Sequence, residues 1–599
     1  MEHPNATVAS GPLLLGTRAT ERPADAGSTL VAGIAGASPA RVDGGGLVRA
    51  NGADWVLDWW IGADDRWYLP AREPAVRQHR SGPGPVVVTS MRIPSGDVTA
   101  TAYPVMTGGR PATAVEIENR SPVPVALALA IRPIGLGGGE VRPHRLELID
   151  GTLLTVDGTP ALVLPRPPNQ RVADGTSDVL AAVESGEVLG WDGPVSGPSA
   201  TAACLFPLPH ATSLRVAVLD ADAAPDADAA ARFRPDTLPG PDAVTRGWAT
   251  VVDRAAGFGL PDPGLTELVG AARARLVLAA PGLADGIEAV DPRSARMLEA
   301  LALFGHADEC RPAVERLVRT FPARLPVEPI GDRSPAEAGA DTLRAVAAAA
   351  LLLGEETAEE ALATAAQLLA LVERAGDHAQ TAVAASALAR LAAAAGQPDA
   401  AAHLRGSLAV DGAGAGGPTA TLEDVTALAG EAQPSGAWPP TDRADAAAAF
   451  LLATRSLLLR ADAVPGAPAR SGPSDPSDGA ARRGRSSAAT SSVGPTIVQL
   501  LPSMPTAWLG GQVEVHRAPA AGARVSFAIR WHGYRPALLW QVDGIDGDDG
   551  DDAGPVEPIR LTCPGLDPDW SSDEPRGETL LAGSSIALPA APEPGDSFS

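Results

Sequence analysis

The sequence predicts a multidomain β plus α protein, with an N-terminal antiparallel β-supersandwich, a central but incomplete α/α helical toroid, and a small C-terminal β domain. Three observations lead there. An Ala/Leu-rich block over residues 264–462 carries apolar residues at helical spacing, broken at short intervals by Gly, Pro and Asp. Before it, short runs of alternating bulky and polar residues recur about ten apart, as strands of a sandwich do. After residue 462 comes a Pro/Gly/Ser/Ala stretch, and then strand-like alternation returns. The domains expected are 1–240 (β-sandwich), 241–262 (connecting helix), 263–462 (helical toroid), 463–494 (disordered linker) and 495–599 (C-terminal β domain with a loose tail).

Taken in order, residues 13–15 and 30–34 are candidate first strands. The signal strengthens at Asp54-Trp55-Val56-Leu57-Asp58-Trp59-Trp60 and Arg66-Trp67-Tyr68-Leu69. Strands follow at 86–88, 98–103, 114–117, 125–131, 145–149, 153–156, 161–164, 180–183, 202–206 and 214–219, with Gly, Pro, Asn and Asp between them. Residues 223–231 are low-complexity, and 243–258 look like a connecting helix. About nine helices then follow, over 265–280, 293–304, 312–321, 336–354, 358–375, 381–395, 400–410, 422–432 and 444–460. Several, such as 345–353, are apolar nearly all round. A helix without a polar face packs on more than one side, which suits a layered toroid or solenoid. Residues 463–492 are too poor in apolar side chains to fold. Strands return at 497–501, 513–516, 525–531, 537–542 and 559–562, with 543–552 as a solvated acidic loop.

Composition narrows the function. A net charge of −25 leaves no basic face for nucleic acid or an anionic membrane. All 47 basic residues are Arg, which excludes a P-loop Lys, a Schiff-base Lys and any Lys nucleophile. The Ala/Arg/Gly/Pro excess reads as drift in a GC-rich genome. Three cysteines lie far apart and the nine His are scattered singly, so neither a metal site nor a cofactor is expected, and a reduced cytoplasmic setting is the simplest reading. No basic leader and no long uncharged apolar run stands out, so export and membrane insertion are not expected. Gly135–Gly139 is a glycine-rich turn rather than a phosphate cradle, and no GxSxG or HExxH occurs.

Two stretches carry a resemblance. Glu116-Ile117-Glu118-Asn119-Arg120-Ser121-Pro122-Val123-Pro124 resembles the "ENxSxxP" strand and turn of the sandwich domains of six-hairpin, (α/α)6-toroid glycosidases, the superfamily of glucoamylase-like and glycoside phosphorylase families. Leu500-Leu501-Pro502-Ser503-Met504-Pro505-Thr506-Ala507-Trp508, followed by Val513-Glu514-Val515, resembles the "LLPxLPxxW…VEV" run into their closing β domain. The resemblance implies an O-glycosyl hydrolase site on an α-glucan or oligosaccharide, with one carboxyl protonating the leaving oxygen and a second activating water.

The candidates for that pair lie where a long inter-helix loop meets a helix start. They are Glu328, Asp332, Glu337 and Asp341 in one loop, and Glu431, Asp442 and Asp445 around Gly436-Ala437-Trp438-Pro439 in another. The best pairing is Glu337 with Asp442, with Trp438 as the sugar platform and Trp67 and Glu328 as further substrate contacts. An acid in the first turn of a helix also suits the macrodipole, so each candidate has a capping alternative. Trp55–Glu73, dense in aromatic and acidic residues, reads either as sandwich core or as a carbohydrate-facing patch. Residues 264–462 hold Trp438 as their one Trp and no Tyr, sparse equipment for an oligosaccharide. Three classes stay open: a glycoside hydrolase, a degenerate member that binds glycan without turnover, and a helical protein-interaction scaffold.

Overall fold

Strand Val56–Gly62 contains the logic of the sandwich. Its odd residues Leu57, Trp59 and Ile61 point into the core between two sheets, while Asp58 and Trp60 face the opposite side and are also buried. Each large side chain so enclosed contributes about 1.5–3 kcal/mol. The computed structural model describes residues 28–33, 40–63, 65–107, 110–133, 143–186, 190–220, 227–287, 290–320, 324–410, 420–439, 442–462, 496–533, 535–544 and 558–582. The predicted strand 13–15, the glycine-rich turn 135–139, the linker 463–494 and most of the acidic loop 543–552 lie outside the described residues. The chain divides into two units, Met1–Thr250 with Glu431–Arg443, and Val251–Gly430 with Ala444–Ser599.

In the first unit, an eight-stranded antiparallel sheet runs from Thr29–Val31 through Val56–Gly62, Val125–Arg132 and Thr201–Leu208 to Gln170–Asp174, with Trp67–Tyr68 paired beside Val56–Gly62. A nine-stranded sheet, centred on Ser213–Leu219, Arg110–Asn119 and Gly96–Thr107, faces it across the core. The "ENxSxxP" run is a joint of this second sheet. The carboxamide of buried Asn119 donates to the carbonyls of Val123 and Leu208, and accepts from Ser121 N and Oγ.

The segment read as a strand at 180–183 is a helix, α1 (Leu180–Ser185). Four apolar residues do not distinguish a buried strand from one helical turn. Backbone hydrogen bonding decides it here. Val179 N donates to Thr201 Oγ1 and Leu180 N to Asp178 Oδ1, and Gly186 closes the helix at φ 70°. Further helices are α2 (Ala227–Ala231) and α3 (Pro241–Asp253).

The second unit carries α4 (Pro263–Gly286), α5 (Pro292–Leu303), α6 (Ala307–Thr320), α7 (Pro335–Leu353), α8 (Glu355–Arg374), α9 (His378–Ala394), α10 (Pro398–Val410), α11 (Leu422–Gly430) and α12 (Ala444–Leu458). Each of the nine helical patterns is therefore a helix. Asp262, Asp291 and Asp377 cap α4, α5 and α9 by accepting from backbone N–H groups of the first turn. Pro281, where the pattern ends, lies inside α4 and the helix runs on past it. The helices form two rows: α12, α5, α7 and α9 pack on one another in turn, and α4, α6 and α8 lie behind them. Alanine makes up most of the buried positions of α7 and α9, which lets them approach closely, and a Cβ at Gly339 of α7 would sit 2.7 Å from Leu325 and 2.8 Å from Val372 of α8.

The closing β region takes strands from both ends of the helical block. Gly257–Gly259 pairs with Val513–Ala520, and Leu459–Asp462, whose first two residues read in the sequence as the end of the last helix, pairs with Thr496–Leu500. Strands Asp567–Ser572 and Arg576–Leu580 complete the two sheets without any apolar alternation in their sequence. In the "LLPxLPxxW" run, Leu501 adopts φ 45°, donates to Leu458 O and accepts from Gly565 N, while Trp508 is buried. Both motifs of the resemblance are thus joints of the fold. Among the described residues no helix is long and apolar enough to cross a membrane.

Candidate functional site

Glu337 stands at the third position of α7 and closes a capping box. Its Oε2 accepts from Ser334 N at 2.7 Å, while Ser334 Oγ accepts from Glu337 N at 3.2 Å. The sequence Ser-Pro-Ala-Glu dictates this local choice, because Pro335 suits the first helical position and Ser334 the cap. Around this cap lies an ion network. Arg333 Nη1 is 3.6 Å from Glu337 Oε1, and Arg333 Nε is 3.9 Å from Asp341 Oδ2. Arg344 Nη2 is 3.3 Å from Asp341 Oδ1, and its guanidinium grips Glu299 of α5 through two hydrogen bonds of 2.7 and 2.9 Å. Burial holds the Asp341 carboxyl above its ordinary range, with Arg344 and Arg333 opposing that shift. Glu328 and Asp332 are exposed in the loop ahead of the helix.

Asp442, the other half of the predicted pair, belongs to the first unit and is 0% exposed. Held at φ 55°, it accepts from Leu30 N through Oδ2 at 3.1 Å and from Trp438 N through Oδ1 at 3.3 Å. The surrounding loop is pinned the same way, with Ser435 Oγ 2.5 Å from Thr29 Oγ1 and Arg80 Nε donating to Ser435 O at 2.9 Å. Trp438 is 1% exposed, so both faces of its ring are occupied by protein. Asp445 is buried in the first turn of α12, and Glu431 is exposed.

Trp67 has a different setting. It is half-buried and lines a cavity of about 270 Å³ on the outer face of the eight-stranded sheet. The register builds this face. Trp60, Ala128, Leu205 and Gln170 are successive cross-strand partners, and Trp67 lies opposite Gly62 in the next row. A Cβ at Gly62 would sit 3.1 Å from two atoms of the Trp67 ring, so the glycine leaves room for the indole to lie against the sheet. Val172 and Leu205 are the aliphatic lining from the sheet, and α1 supplies Val183, Glu184 and Ser185.

Beneath α1 is a buried ion triad with no signature in the sequence. Arg132 Nη1 is 3.0 Å from Asp58 Oδ2 and its Nη2 is 3.0 Å from Asp178 Oδ2, with the guanidinium over the Trp60 ring. Trp60 Nε1 and Trp59 N also donate to Asp58. Burial raises the Asp58 carboxyl, and the hydrogen bonds and Arg132 pull against that rise. Of the cavity's polar groups only Trp67 had a signal in the sequence, its place in an aromatic-acidic stretch. Gln170 and Glu184 had none.

Among the described residues no group of three or more His, Cys, Asp or Glu is placed to hold a metal. Cys204, Cys310 and Cys563 are buried free thiols, each pushed up by burial.

No family model matches the chain, and no curated protein matches it. Solved structures do. A bacterial glucoamylase complexed with acarbose is 8% identical, with a TM-score of 0.42 over 65% of this chain and 67% of that one. A family GH92 α-mannosidase from Bacteroides thetaiotaomicron is 9% identical, with a TM-score of 0.24 over 59% of this chain and 55% of the mannosidase. The same mannosidase in complex with mannoimidazole aligns over 61% of this chain at the same TM-score. The structural neighbours are glycoside hydrolases.

Proposed function

We propose that this chain is a glycosidase-like protein that binds carbohydrate and does not turn it over through Glu337 and Asp442. The observation that carries this reading is Asp442, whose two carboxylate oxygens each accept a backbone N–H at 0% exposure. A general acid or base must reach the glycosidic oxygen or a water, and this carboxylate reaches neither as it stands. Glu337 has a capping duty of its own, and Trp438 offers no free face for a pyranose. The two sequence motifs shared with the six-hairpin glycosidases support kinship in architecture, and kinship of that kind licenses no activity.

The test is a binding and hydrolysis screen of the purified protein against starch, maltooligosaccharides, trehalose and cello-oligosaccharides. Binding without product is expected. Sugar release that disappears in Glu337→Gln or Asp442→Asn would overturn the reading and establish a hydrolase.

A second reading has one observation in its favour. Burial shifts the Asp341 carboxyl upward, the direction a general acid needs, and the Arg333 side chain lies between it and Glu337. It predicts measurable hydrolysis that Asp341→Asn abolishes.

A further inference from the structure

The outer face of a sandwich sheet is ordinarily polar, because it meets water. Here that face carries Trp60, Trp67, Ala128, Val172, Ala203 and Leu205. The single-turn helix α1 covers part of this apolar surface and stops short of the rest. What remains uncovered is the cavity of about 270 Å³, between Trp67 and Leu205 on the sheet side and the C-terminal half of α1 on the other.

We infer that this cavity is a binding site for one neutral pyranose ring, with Trp67 as the platform and Gln170, Glu184 and Ser185 as hydroxyl partners. The inference rests on the carbohydrate-binding reading and assigns it a place.

Four features argue for this ligand. The volume falls just under the range of sites that take drug-sized molecules, about 300–1,000 Å³, so it suits a single ring. The Trp67 indole, whose Cζ2 and Cη2 atoms reach over Gly62, supplies an aromatic surface for the C–H face of a sugar. Gln170 offers a donor and an acceptor side by side, Ser185 a hydroxyl and Glu184 a carboxylate, which is the donor and acceptor mixture that vicinal hydroxyls require. Among the described residues lining the cavity Glu184 is the one charged group, and Arg72 lies 4.0 Å from its carboxylate, so the lining keeps no cation of its own for a uronate or a sugar phosphate and a neutral sugar is favoured.

The wall is also preformed. A six-residue helix has no stability of its own in water. This one is anchored through Leu180 N to Asp178, which Arg132 ties to Asp58. A binding site whose wall is held before the ligand arrives avoids the cost of ordering it.

The experiment uses the full chain, with methyl α-glucopyranoside, methyl α-mannopyranoside, methyl β-galactopyranoside and glucuronate as probes, read by ligand-observed NMR and tryptophan fluorescence. At least one neutral glycoside should bind, and glucuronate should bind more weakly than glucoside. Trp67→Ala should weaken binding by about tenfold or more, and exposed Gln170→Ala by a smaller factor. Should Trp67→Ala fail to fold, judged by circular dichroism, Gln170→Ala decides. Neutral-sugar binding that neither variant alters would overturn this site and leave the carbohydrate-binding reading intact. Failure of the unaltered protein to bind any of these sugars or the oligosaccharides above would overturn both.

Discussion

In the sandwich, Arg132 reaches Asp58 and Asp178 with 3% of its side chain exposed; at the head of α7, Arg333 and Arg344 reach Glu337, Asp341 and Glu299 with 37% of each side chain in solvent. The same residue types do different work in the two places. The triad lies in a low-dielectric layer where every oxygen has a donor, and it fixes the helix that walls the cavity. The α7 network is wet at its edge, and water shares in its charge interactions. Chemistry at a carbohydrate would call for the second setting, and rigid recognition for the first.

Removing one member of each network separates the two most strongly. Arg132→Met leaves Asp58 buried and without its main partner, a change that costs about 3–5 kcal/mol. Replacing both, as Asp58→Leu with Arg132→Met, removes the fully buried charge, leaves only the partly exposed Asp178 without Arg132, and should recover much of that loss. Arg344→Met should cost less, about 1–3 kcal/mol, since Arg333 still stands 3.9 Å from Asp341 and the site opens to water where the half-exposed Arg344 stood, although Glu299 loses its partner. Urea unfolding of the three variants measures all of this. Equal losses for the two single changes would erase the distinction between the networks.

The helical unit contains a buried histidine. His306 is 3% exposed, its Nε2 has no hydrogen-bond partner among the described residues, and Glu309 Oε2 lies 3.9 Å from Nδ1. Burial, with Arg273 and Arg254 adding repulsion, pushes its pKa down to about 3. The folded value is below the unfolded one, so between about 6.5 and about 3 the unfolded chain binds the extra proton. Stability from this group is full above the unfolded value and is lost as pH falls. The slope approaches about 1.4 kcal/mol per pH unit inside that window. His306→Leu should flatten the decline on acidification, and thermal melts from pH 7 to pH 4 would reveal it. An identical decline in the variant would show that His306 is protonated, or accessible, in the folded protein.

What could be read in advance follows the range of the interactions. Helices α4 to α12 were legible because a 3.6-residue period repeats within each of them. Residues 180–183 were not, since four apolar residues have no period and the anchoring hydrogen bond runs from Leu180 N to Asp178, itself held by Arg132. Strand Asp567–Ser572 has no apolar alternation to announce it; Trp570 there meets Trp540 edge-on at 5.2 Å, a contact made only by the fold. The aromatic-acidic character around Trp438 and Asp442 imitated a site, whereas its hydrogen bonds run to Thr29 and Leu30, some four hundred residues away. Trp67 was legible as an aromatic, but Gln170, on the same cavity, arrives through the register of three intervening strands.

A smaller effect tests whether the α7 head is architecture. Ser334→Ala removes the hydroxyl that accepts from Glu337 N and should cost about 1 kcal/mol. Chemical denaturation would measure it, and a loss within error would mean that the capping box contributes nothing to the helix.

The smallest expected change is the most informative. Glu337→Gln keeps an oxygen able to accept from Ser334 N, and Gln serves at this position of a capping box as Glu does. The loss that follows is the charge interaction with Arg333, 3.6 Å away and partly exposed, worth about 0.5 kcal/mol or less. A catalytic carboxylate behaves oppositely, since the amide can neither donate nor take up a proton and turnover falls by orders of magnitude while stability hardly moves. The variant therefore separates the two roles cleanly. Near-native stability with carbohydrate binding unchanged assigns Glu337 to the helix, and a selective loss of sugar release would move the functional centre of the molecule from the sandwich face to the head of α7.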